Sequence, residues 1–64
     1  MEIVFYVYIQ HGEYWLRSKY GCASKETAIG LCGDMEKTYK SRGVVAGFPE
    51  NENPPAHYPL SHFA

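Results

Sequence analysis

The chain has 64 residues, a formal net charge of −1, 20% charged residues and two cysteines. A chain of this length makes one small domain near the lower limit for a stable core, so self-association or a partner is expected. The near-neutral charge excludes a protein that coats nucleic acid by bulk electrostatics, and no apolar run is long enough to cross a bilayer.

The first element is the run Ile3-Val-Phe-Tyr-Val-Tyr-Ile9, almost continuously β-branched or aromatic, and it predicts a central strand. Met1-Glu2 leads straight into that strand, without the basic start and small-residue cleavage site of a signal peptide, so an intracellular, cytoplasmic protein is expected. His11-Gly12 predicts a reversal and Tyr14 to Tyr20 a return strand. A turn centred on His11-Gly12 sets Ile9 opposite Tyr14, Val7 opposite Leu16, Phe5 opposite Ser18 and Ile3 opposite Tyr20 on one face. The other face carries Tyr8 opposite Trp15, Tyr6 opposite Arg17 and Val4 opposite Lys19. The first face is aliphatic and needs a cover; the second mixes aromatic rings with two cations.

Ser24 is a good N-cap, and Ala28, Leu31, Cys32, Met35 and Tyr39 recur at three- and four-residue spacing as the apolar stripe of a helix. Lys37, Lys40 and Arg42 suit its last turns and Gly43 its C′ position, which predicts an end near Arg42. Gly30 and Gly33 fall away from the stripe and read as a weakened exposed helix face, with close approach of another backbone as the alternative. Val44-Val-Ala-Gly-Phe48, closed by Pro49, predicts a third strand antiparallel to the first. The expected fold is α+β: a ββαβ domain over residues 1–48, with a three-stranded antiparallel sheet in the order 2-1-3 and one helix on one face. Residues 49–64 form a Pro-rich linker, Pro49-Glu-Asn-Glu-Asn-Pro-Pro55, and an extended C-terminal arm with docking groups at Tyr58, Leu60 and Phe63.

Chemistry-bearing residues are few. Cys22, Cys32, His57 and His62 make a Cys₂His₂ set, but the cysteine spacing is too wide for the usual zinc modules, and they read as unrelated side chains with both thiols reduced. No phosphate loop, carboxylate pair or nucleophile elbow is present, so no catalytic residue, metal or cofactor is expected. The expected binding surface is the outer sheet face with Tyr6, Tyr8, Trp15, Arg17 and Lys19, open to a larger partner unless the arm covers it.

Gly12-Glu-Tyr-Trp-Leu-Arg17 followed by Ser24-Lys-Glu-Thr-Ala28 resembles the hairpin-then-helix passage of AP2-like DNA-binding domains and the arm-binding domains of tyrosine integrases. The likeness covers less than half the chain and implies a sheet that reads DNA through Trp15, Arg17 and Lys19. Three functions follow as expectations. The leading one is a non-enzymatic protein-binding module, such as a phage or mobile-element inhibitor of the anti-CRISPR type that blocks a larger protein or protein–nucleic-acid complex. The others are an AP2-like nucleic-acid-binding domain and a homodimeric structural protein.

Overall fold

The computed structural model describes residues 2–63. Its elements are β1 (Ile3–His11), β2 (Tyr14–Arg17), α1 (Lys25–Tyr39), β3 (Gly43–Pro49), β4 (His57–Pro59) and a 3₁₀ turn over Leu60–Phe63. The fold is α+β, with a curled antiparallel sheet in the order β3-β1-β2-β4. The expected three strands in the order 2-1-3 are present, and the sheet is corrected to four strands by β4 on the outer edge of β2. Three residues ending in a proline give no readable strand periodicity; pairing with β2 makes this segment a strand.

The β1–β2 turn is Gly12-Glu13, and the register pairs His11 with Tyr14, Ile9 with Leu16 and Tyr8 with Arg17. The expected turn one residue earlier gave a register two residues off. Gly12 explains the difference: its φ of 61° belongs at the first loop position, as a II′-type hairpin requires. A slip of two residues preserves side-chain alternation, so the two faces keep their membership.

Beyond Arg17 the hairpin contains a bulge organised by Ser18, which is 5% exposed. The Ser18 N–H donates to the Val7 carbonyl at 2.6 Å, while the Val7 N–H donates to Ser18 Oγ at 3.1 Å, so a side-chain oxygen replaces the carbonyl of a regular ladder. The Ser18 hydroxyl donates in turn to the Tyr20 carbonyl at 3.1 Å. Pairing resumes at Phe5 with Cys22, where an unbroken register would have placed Tyr20. Gly21 lies at the return, where a Cβ would collide with Val4 Cγ1 and lie 3.0 Å from Tyr6 Cζ.

Helix α1 starts at Ser24, whose extended backbone (φ −126°, ψ 149°) and Oγ acceptor for the Thr27 N–H, at 3.2 Å, make an N-cap. It ends at Tyr39, three residues before the expected stop, because Lys40 enters the left-handed region at φ 53° and returns its N–H to the Glu36 carbonyl. Gly43, expected as the cap residue, instead opens β3 where helix and sheet touch. A Cβ there would stand 2.7 Å from Cys32 Sγ and 3.0 Å from Ile9 Cδ1. The helix lies on β1 and β3 through buried Ala28 and Cys32, while Tyr39, at the end of the expected stripe, is 61% exposed. Gly30 and Gly33 have open space where a Cβ would be. Among the described residues no helix is long and apolar enough to cross a membrane.

Candidate functional site

The alternation of β1 and β2 brings Tyr6, Tyr8, Trp15 and Arg17 to the sheet face opposite the helix, and residues 54–63 cover that face within the same chain. From Pro49 the chain turns, crosses beneath the sheet from its β3 side to its β2 side, and pairs as β4 with Tyr14, Trp15 and Leu16. Tyr8 is fully buried and Trp15 is 3% exposed. The Tyr58 and Phe63 rings approach Tyr8 at centroid distances of 5.2 and 5.3 Å, and Phe63 meets Trp15 edge-on at 5.6 Å. Leu60 contributes its backbone, since the Trp15 indole Nε1–H donates to the Leu60 carbonyl at 2.9 Å.

The polar tips of Tyr8, Trp15 and Arg17 end on the covering segment. The Tyr8 hydroxyl donates to the Pro55 carbonyl at 2.7 Å, and the Arg17 Nη1 donates to the Pro54 carbonyl. Arg17 also stands 5.3 Å over the Tyr6 ring, and its backbone N–H donates to the Ala56 carbonyl at 2.9 Å. Prolines 54 and 55 thus present carbonyls without competing N–H donors to a buried phenol and a guanidinium. Burial, with the nearby Tyr58 phenol second, pushes the Tyr8 phenol up to about 12.

The arm residues Tyr58, Leu60 and Phe63 therefore meet Tyr8 and Trp15, whereas Lys19 departs from the group. The Ser18 bulge sends Lys19 to the helix side, where its Nζ lies 5.7 Å over the exposed Tyr20 ring. It joins there a feature that alternation alone did not reveal: a cleft of about 460 Å³ between the C-terminal half of α1 and β2. Ile9 and Leu16 form its floor, Met35 and Tyr39 its helix wall, and Lys19 and His11 stand at its margin. The cleft exists because α1 rests on β1 and β3 and leaves β2 uncovered on this side.

The candidate metal ligands are dispersed. Cys22 pairs with Phe5 and Cys32 is buried beneath Gly43, both on the helix side, whereas His62 stacks on Tyr58 at 3.8 Å on the opposite face and His57 lies beside Tyr14. Among the described residues no three His, Cys, Asp or Glu side chains converge on a metal-sized site. Both cysteines are free, and burial, with Glu36 nearby, pushes the Cys32 thiol up from its usual range. Compared with known protein families, curated proteins and solved structures, the chain matches none.

Proposed function

We propose that this chain is a non-enzymatic protein-binding module whose working surface is the cleft between α1 and β2. The observation that carries the reading is the placement of the helix over only part of the sheet. It leaves Leu16 half-buried beside Met35 and exposed Tyr39, with Lys19 brought to the margin by the Ser18 bulge. An exposed tyrosine and a cation around an apolar floor suit a protein interface. The occupant that fits is an apolar side chain of a larger protein flanked by a carboxylate: the floor is Ile9 and Leu16, and Lys19 rests on a tyrosine ring. The AP2-like reading needs Trp15 and Arg17 free for DNA, and both are engaged by the covering segment.

The test is capture from host lysate after nuclease treatment, using the unaltered chain, a Lys19→Glu/Tyr39→Ser variant and an Ile29→Ser control on the exposed helix side. A stoichiometric protein held by the unaltered chain and the control, but lost by the cleft variant, supports the reading. A partner held equally by all three moves the interface elsewhere and overturns it, as does recovery of nucleic acid without protein.

A further inference from the structure

Strand β3 forms one free edge of the sheet, and its sequence Gly-Val-Val-Ala-Gly-Phe-Pro carries no charge. Edge strands are ordinarily shielded by charges, proline or a covering element, because their unpaired amides and carbonyls template further pairing. The opposite edge follows that practice, since β4 has three residues and includes Pro59. Among the described residues the β3 edge is shielded only at its two ends.

The hydrogen-bond phase shows which groups are free. Gln10 N–H donates to the Arg42 carbonyl at 2.8 Å and Glu50 N–H to the Glu2 carbonyl at 2.9 Å, so Arg42, Val44, Ala46, Phe48 and Glu50 point their backbone groups at β1. Gly43, Val45, Gly47 and Pro49 therefore point theirs outward. The Gly43 N–H is taken by the Glu36 carboxylate at 2.9 Å, and Pro49 has no N–H and gives its carbonyl to the Glu52 N–H at 2.9 Å. What remains is a short central window: the N–H and C=O of Val45 and Gly47, with the Gly43 carbonyl at its margin.

We propose that this window pairs with the same window of a second copy, β3 antiparallel to β3 about a two-fold axis at Ala46, joining two sheets into one. In that register Val45 and Gly47 of one copy exchange both backbone hydrogen bonds with Gly47 and Val45 of the other. The shielded ends also fall opposite each other: the Gly43 N–H, already bound, faces a Pro49 carbonyl that is already bound. An unrelated strand in the same position would leave its own N–H opposite Pro49 without a partner, whereas the Gly43 N–H of a second copy is already held by Glu36, and this favours the second copy. The side chains agree. Ala46 meets Ala46 at a non-hydrogen-bonded pair, where Cα atoms approach to about 4.5 Å, Val44 meets Phe48, and Val45 meets Gly47, with no like charges opposed. The pairing is isologous and closes at two copies. It leaves the α1–β2 cleft untouched, so the two proposals fail separately.

The experiment is sedimentation equilibrium across a concentration series, with amide exchange measured at its two ends. The expected result is a mass rising from 7.3 kDa to twice that value, with the Val45 and Gly47 amides slowing in parallel. A mass constant at 7.3 kDa across the series overturns the proposal and leaves the edge to a different strand. A dimer in which those two amides exchange as exposed groups also overturns it. A ligated chain carrying N-methylated Val45 loses one outward donor and none of the β1 ladder. A folded, monomeric product supports the pairing, and a folded, dimeric one overturns it. If methylation unfolds the chain, an isotope-filtered Hα–Hα contact between the two Ala46 residues in a mixed-label sample decides: its presence supports the register and its absence overturns it.

Discussion

Ser18→Ala is the most informative single change to the fold. The substitution removes one oxygen that does two jobs, accepting from the Val7 N–H at 3.1 Å and donating to the Tyr20 carbonyl at 3.1 Å. Val7 is fully buried, so its amide is left without a partner or access to water. An orphaned buried amide costs about 1–3 kcal/mol, and the lost bond to Tyr20 adds about 0.5–1 kcal/mol. Total stability for a domain of this length is about 3–10 kcal/mol, so a loss of about 1.5–4 kcal/mol is a large fraction of it. At about 4–8 °C per kcal/mol, the midpoint should fall by about 6–32 °C. Urea and thermal unfolding measure this, with Ser41→Ala as the control because the Ser41 hydroxyl donates to Tyr39 at 3.3 Å on the exposed surface. The Val7 amide gives a second readout, exchanging only through global unfolding in the parent chain and through a local opening in the variant. Ser18→Ala within about 0.5 kcal/mol of the parent, the range of ordinary surface changes, would show that Ser18 does not hold the bulge.

Two further outcomes follow from perturbed ionisations. Tyr8 holds its proton more tightly when folded, with a value of about 12 against 10.0 unfolded, so its contribution is intact below pH 10 and is lost as pH rises through 12. The loss is about 2–3 kcal/mol over that window, and Tyr8→Phe should flatten the alkaline limb of a stability–pH curve; an unchanged limb refutes the assignment. Cys32 is buried and its thiol is pushed up by burial and Glu36, whereas Cys22 is half-buried, so iodoacetamide at pH 8 should label Cys22 well before Cys32 by peptide mass. Equal rates would contradict the packing of Cys32 under Gly43.

Face membership was legible from the sequence because a period of two survives an error of two. Ile9, Val7 and Leu16 fall on the helix side in either register. The register itself depended on whether Gly12 is the last or the first residue of the loop, and composition does not distinguish these. Ser18 was invisible because a buried serine looks like any other until its amide partner is known. That bulge is also why Lys19 was placed on the aromatic face when it belongs to the cleft. The arm was legible through Tyr58, Leu60 and Phe63 as groups needing a dock. Its conversion into a strand was not, since β4 exists only through pairing with β2. The cleft depends on where α1 lies across the strands, and amphipathic spacing gives the face of a helix but not its lateral position over a sheet.

The segment from Glu50 to Ala56 spans the width of the sheet before β4 can form, and this imposes an order on folding. Residues 57–63 can only dock once β1 and β2 have presented Tyr8 and Trp15, and their partners are more than forty positions away along the chain. Closing so long a loop is slow relative to forming the hairpin or the helix. The hairpin and helix therefore form with the aromatic face still wet, and it dries only when Tyr58 and Phe63 dock. The interval between those events is when the folding chain is open to mispairing.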